Sequence, residues 1–222
     1  MSLASTPGIS SIGNKPFRTV ALLGREPGLL VLREALLGNQ LIDLAAVYTH
    51  GSLPKGEGGG PRPELSRYVM ECETAQVPLY ILDVFEARQL ECHLPPGPFD
   101  LLVVLSWRSI LSKAILDLPI YGAINVHRGA LPKYRGARPV QQALEAGDSS
   151  VSITAHRMTE IVDDGPAVAT VRMDIRSLPT NVTAGHYAEE VKVALYPLYA
   201  PLVRLSITSL AASRHCVTRP IV

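Results

Sequence analysis

The chain predicts an α/β fold, a mostly parallel central sheet with helices on both faces. Short apolar runs alternate with segments of helical spacing through the first half of its 222 residues, as strands joined by right-handed crossovers do. One run, Asp100 to Ser106 (DLLVVLS), is apolar everywhere but its ends. That suits a strand covered on both faces. Ser150 to Arg157 alternates instead, with Val151, Ile153 and Ala155 on one face.

Arg18 to Leu23 reads as the first strand, ending at Gly24 and passing through Pro27-Gly28 into a helix near Leu29 to Leu37. Gly24 and Gly28 suit a tight strand-to-helix turn, or a phosphate held at a helix start, although no Walker or G-x-G-x-x-G pattern is present. Ile42 to Thr49 is a second strand. Gly51 to Pro63, with Gly58-Gly59-Gly60, is expected not to pack and to form a mobile surface loop or a substrate lid. A helix from Glu64 to Thr74, a strand at Pro78 to Leu82 and an irregular stretch from Leu90 to Pro98 precede the apolar strand. A short helical piece at Lys113 to Leu116 leads into a strand running to Asn125. Val140 to Ala146 is a helix and Ala167 to Ile175 a strand. Thr183 to Leu210 has helical spacing broken by Pro197 and Pro201, so a bent helix or two pieces are expected.

Composition narrows the function. The chain is 47% hydrophobic and 18% charged with a formal net charge of +1, which gives no electrostatic footprint for nucleic acid as the main partner. No apolar run is long enough to span a bilayer. Residues 1–17 read as a disordered lead-in, 18–212 as one catalytic domain and 213–222 as a tail. Cys72, Cys92 and Cys216 match neither a zinc spacing nor a disulfide framework, so no metal is expected and a reducing, cytoplasmic setting is.

Candidate chemistry gathers between Asn125 and Pro166. Asn125 and His127, at spacing two, share one face of a strand end. A loop with Gly129, Pro132, Gly136 and Pro139 follows, and Val162-Asp163-Asp164-Gly165-Pro166 forms a turn bearing carboxylates. Ser106-Trp107-Arg108 reaches the same carboxyl edge of the sheet, where ligands bind in open α/β folds. The alternation puts His156 on the face away from Ile153 and Ala155, in a solvated or inter-strand place.

Asn125-Val126-His127, the loop Gly129-Ala130-Leu131-Pro132-Lys133-Tyr134-Arg135-Gly136, the segment Thr154-Ala155-His156-Arg157-Met158 and the Asp163 turn together resemble the formyltransferases that use 10-formyltetrahydrofolate. That family includes glycinamide ribonucleotide, methionyl-tRNA and amino-sugar enzymes. The likeness is dense for about 50 residues and thinner from about residue 18 to 210, and it implies a Rossmann-like formyltransferase fold. It implies that the folate co-substrate lies against Trp107, Ile110, Leu111, Ile161 and Val162, and the acceptor amine near Gly24, Arg25 and Arg135. Arg135 suits a phosphate or carboxylate, or equally the holding of its own loop.

The resemblance also implies roles. An amine attacks the formyl carbon, charge develops on oxygen, and the leaving folate nitrogen takes a proton. Asn125 donates to the oxyanion, where a preorganised donor is worth roughly 3 kcal/mol. His127, as imidazolium, stabilises the same oxygen or passes the proton. Asp163 favours that charged ring and relays protons, whereas Asp164 is a turn residue. The alternatives are a 10-formyltetrahydrofolate hydrolase, with water as nucleophile, and a folate-binding homologue without catalysis.

The chain also departs from the family pattern. Ser152 stands where Gly is usual, Arg128 follows the histidine, and Gly129-Ala130 replaces Ser-Leu. The turn Gly24 to Gly28 lacks the Gly-Asn-Gly-Ser-Asn loop of the glycinamide ribonucleotide enzymes, which counts against a purine role. Transfer to tRNA is not expected, because no further domain follows the last helix. AVYTHGSLPKGEG, LPKYRG and AHRM look closest to the amino-sugar branch, so the expected partner is a small amine, possibly an amino-sugar nucleotide. A homodimer is a further expectation.

Overall fold

The computed structural model describes residues 15–83, 85–176 and 184–217. Residues 1–14 of the expected lead-in and 218–222 of the expected tail lie outside the described residues. A seven-stranded sheet is built from β1 (Phe17–Leu23), β2 (Ile42–His50), β3 (Leu79–Leu82), β4 (Leu101–Leu105), β5 (Ala123–His127), β6 (Ser150–Arg157) and β7 (Ala167–Asp174). Their order is β3-β2-β1-β4-β5-β6-β7. The strands from β3 to β5 run parallel, and β6 and β7 are antiparallel additions at one edge. Helices α1 (Arg25–Val31), α2 (Leu65–Thr74), α3 (Lys113–Leu116), α4 (Pro139–Glu145), α5 (Ala184–Ala194) and α6 (Tyr196–Val217) complete the α/β frame.

The sheet is buried between two cores. Ala21, Leu23, Val103, Leu105, Ile124 and Val126 face one, with α1 and α6 over them. Val20, Leu22, Tyr48, Leu102, Val104 and Ala123 face the other, together with Leu90 and Ile115. Every residue of β4 is buried, because its neighbours and both cores cover it. Burying each such Leu or Val stabilises the fold by roughly 2 kcal/mol.

Strand order reverses at β1, which lies between β2 and β4 with all three parallel. A crevice therefore opens beyond the carboxyl ends of β1 and β4, the usual ligand edge of such sheets. No single described helix is long and apolar enough to cross a membrane.

Several local expectations need correction. The first helix starts at Arg25, four residues before the expected Leu29, because the chain turns at once: Gly24 is extended and Arg25 takes φ 60°. Gly28 is needed by packing, since a Cβ there would lie 2.4 Å from the Tyr68 hydroxyl. The 51–63 loop does pack at its base. Leu53 N–H donates to Gly60 at 2.8 Å, Ser52 bridges to Pro61, and Arg62 is only 4% exposed. The last helical region, by contrast, is as expected: two pieces bent by 44°, separated at Leu195. Pro197 falls in the first turn of α6, where its missing N–H costs little.

Candidate active site

β5 and β6 bring the polar residues together. Their antiparallel register sets Asn125 opposite His156 and His127 opposite Thr154, so all four share one face. Asn125 Nδ2 lies 3.2 Å from His156 Nε2. His156 Nδ1 lies 2.8 Å from the Arg157 carbonyl, which fixes the ring so that Nε2 faces Asn125. The turn after β6 then returns over this face. Asp163, at φ 53°, places Oδ2 3.2 Å from His127 Nδ1 and Oδ1 3.5 Å from His156 Nε2. The turn needs Gly165, where a Cβ would come within 1.8 Å of the Arg157 carbonyl oxygen.

The loop after β5 closes the group from the other side. Gly136 N–H donates to Asp163 Oδ2 at 3.0 Å, and Thr154 Oγ1 donates to the Gly129 carbonyl at 2.8 Å. His127 Nε2 lies 2.6 Å from the Tyr134 carbonyl. Both ring nitrogens of His127 thus face acceptors, an arrangement that only the imidazolium satisfies completely. Burial decides otherwise. It pushes the His127 pKa below its usual value, against the upward pull of the Tyr134 carbonyl and of Asp163. The expected influence of Asp163 is present, but burial outweighs it. For Asp163, burial acts upward, yet His156, the His127 charge and the Gly136 N–H together hold its pKa below the ordinary carboxylate value.

Asn125, His127 and Asp163 therefore meet as a cluster. His156 joins them and is not solvated: it is 2% exposed. Strand alternation assigned its face, but not what covers that face, because the 158–166 turn arrives from outside the local pattern. Asp164 pairs with Arg135 at 2.6 Å, which ties the loop after β5 to the turn after β6.

Two cavities adjoin this cluster, and Asn125 lines both. One, of about 220 Å³, is lined by Trp107, Ile110, Leu111, Ile161 and Val162, the residues expected around the folate. Ile110 is 82% exposed, Ile161 65% and Val162 55%, an apolar surface with nothing packed on it. Trp107 stacks on His50 at 4.1 Å, and its buried indole N–H has no partner among the described residues. The other, of about 270 Å³, is lined by Ser106, Asn125, His127, Arg128 and Gly136 among others.

Gly24, Arg25 and Arg135 line neither cavity. Gly24 N–H instead donates to the Leu105 carbonyl at 2.9 Å, tying β1 to β4. Arg25 pairs with Glu57 at 2.5 Å. Arg62 Nε and Arg108 Nη2 both donate to the Ser52 carbonyl, at 3.2 and 3.0 Å. Both Nη atoms of Arg62 are buried without a partner among the described residues, and sequence reading missed this residue. Arginine inside a glycine- and proline-rich loop carries no local sign of burial. Among the described residues no three His, Cys, Asp or Glu side chains cluster to hold a metal ion.

Residues 31–199 match the family described as Formyl transferase. Methionyl-tRNA formyltransferase of Pseudomonas fluorescens is 36% identical over 171 residues, 77% of this chain and 51% of that protein. The same-named protein of Nitrosococcus oceani is 36% identical over 140 residues, 63% of this chain and 43% of that protein. The chain thus spans about half the length of the curated relatives it matches. Among solved structures, phosphoribosylglycinamide formyltransferase from Brucella melitensis superposes with a TM-score of 0.67 at 18% identity, covering 89% of this chain and 97% of that one. A formyltetrahydrofolate deformylase from Pseudomonas syringae gives 0.65 at 19% identity, covering 90% and 63%. At these identities the likeness to the solved structures is one of fold.

Proposed function

The chain belongs to the formyl transferase family, and from that premise we propose that it moves a formyl group from 10-formyltetrahydrofolate to the amine of a small acceptor. The observation that carries the reading is the place of Asn125, in the wall shared by two cavities and backed by His127, His156 and Asp163. The donor supplies the activated formyl group. Its flat heterocycle suits the apolar cavity. The acceptor takes the second cavity, beside His127 and Arg128.

In this reading Asn125 donates from its side-chain amide to the formyl oxygen as charge gathers there. His156 is a positioning residue, because its Nε2 holds the Asn125 amide. Asp163 and His127 receive the proton released by the amine and return one to the departing nitrogen. His127 reaches a substrate from this arrangement only by giving up the Tyr134 carbonyl.

The amino-sugar nucleotide of the sequence reading remains the acceptor to try first, with methionyl-tRNA beside it because the relatives above bear that name. Isothermal titration with 5-formyltetrahydrofolate tests the donor, and product analysis with each amine tests transfer. Micromolar folate binding with formylation of one amine is expected. Formate release without any amine would replace transfer by hydrolysis, and absence of folate binding would end the reading.

A further inference from the structure

A third cavity, of about 330 Å³, lies behind the 128–137 loop and is lined by Arg128, Lys133, Tyr134, Asp148, Ser152 and Arg172 among others. Strand lengths create it. The β5 ladder ends at the pair His127 and Thr154, whereas β6 begins at Ser150, so the first residues of β6 have no β5 neighbour.

The lining is cationic. It holds three cations, Arg128, Lys133 and Arg172, against the single carboxylate of Asp148. Lys133 already pairs with Asp148 at 3.0 Å, and the Tyr134 hydroxyl donates to the same carboxylate at 2.7 Å. Arg172 Nε donates to Ser150 Oγ at 2.6 Å, a neutral partner. Arg128 makes no hydrogen bond or ion pair with its side chain to any described residue. The lining therefore carries a net charge of +2, with Asp148 and, outside the cavity, Asp174 near enough to Arg172 for its charge to lower their pKa values. Serine hydroxyls from 149, 150 and 152 add groups that both donate and accept, and Pro139, Val140 and Ala143 give an apolar wall.

Arg128, Gly129, Ala130 and Ser152, four of the departures from the expected pattern, line this one cavity, whereas the Gly24 to Gly28 turn does not. Gly-Ala in place of Ser-Leu removes bulk, Ser152 adds a hydroxyl and Arg128 adds charge.

We propose that this cavity binds a phosphorylated small molecule, its phosphate recognised by Arg128, Arg172 and the serine hydroxyls and its body by the apolar wall. A lining with a net charge of +2 suits a dianion, which a phosphate monoester provides and a single carboxylate does not. The site adjoins the candidate chemistry. Arg128 and Pro139 also line the cavity beside Asn125, and Tyr134 supplies both a wall here and the carbonyl on His127. The phosphate belongs either to the acceptor itself or to a separate effector.

Phenyl phosphate titrated into the full chain without folate, followed by calorimetry and ³¹P NMR, tests the site independently of formyl transfer. Saturation below about 10 mM is expected, weakened at least ~10-fold in R128A and in A130L, which refills the cavity with the family's usual side chain. Thermal melts and 5-formyltetrahydrofolate binding confirm that both variants are folded. Affinity unchanged in both variants, loss of binding in R25A instead, or no saturation in the wild type would each overturn the proposal. Once binding is established, competition with the acceptor identifies the acceptor's own phosphate, and non-competitive behaviour identifies an effector; either keeps the site.

Discussion

His127 stands between a carbonyl and a carboxylate in a place with little water, and its charge state depends on which of the two influences is greater. Burial lowers its pKa from 6.5 while Tyr134 and Asp163 raise it. NMR titration of its ring should give a midpoint below 6.5, and Asp163→Asn should move that midpoint lower still by removing the neighbouring negative charge. A wild-type midpoint above 6.5 would show that the two acceptors win. Asn125 permits a separate test. Asn125→Ala should lower kcat by about 10²- to 10³-fold, as expected for loss of an oxyanion donor, while folate affinity stays within a few-fold. A KM effect with kcat unchanged would reduce Asn125 to a binding residue. The cluster of Asn125, His127 and Asp163 was legible because spacing two and a Gly-Pro turn are local signals. His156 was not, since its partners depend on an antiparallel register 31 residues apart in sequence.

The turn between β6 and β7 shows how an element places a residue. Arg157 N–H closes it on the Pro166 carbonyl at 2.9 Å, and Gly165 passes so near Arg157 that no side chain fits. Gly165→Ala should therefore cost at least about 2 kcal/mol and, by displacing Asp163, depress turnover as well. Asp164→Ala, one residue away, removes only a partly exposed pair with Arg135, at 36% and 46% exposure. It should change stability by less than about 0.5 kcal/mol. Urea unfolding of the two variants checks the contrast, and equal losses would mean that the turn does not depend on Gly165. Strands were read well because burial on one or both faces leaves a periodic trace, as in β4 and β6. The start of α1 was read late. It depends on Arg25 entering a left-handed conformation, which no apolar pattern records.

Across the whole molecule, the reversal of strand order at β1 gathers loops from β2, β4 and β5 at one edge, and that convergence buries charge-bearing side chains under little water. His50, at the end of β2, is fully buried against Trp107. Its pKa falls from 6.5 to about 4, first because of burial and next because of the Arg108 charge, with the Leu82 carbonyl opposing both. A histidine whose folded pKa is depressed leaves the unfolded chain holding more protons, so stability declines as pH falls from 6.5 toward 4. Between pH 7 and 4.5 this single group should remove on the order of 2 kcal/mol, a sizeable share of a typical domain's stability. His127 adds to the same slope. Asp163 acts outside the window, because its stabilising effect is lost only as pH falls below 3.8. Replacing His50 by Phe keeps a ring against Trp107 and removes the titration. Urea midpoints taken from pH 7 to 4.5 should then fall less steeply in His50→Phe than in the wild type, even if the variant is less stable at pH 7. Parallel slopes would mean that His50 is charged in the folded protein, and the cationic corner of Arg62 and Arg108 would then have to hold a further positive charge.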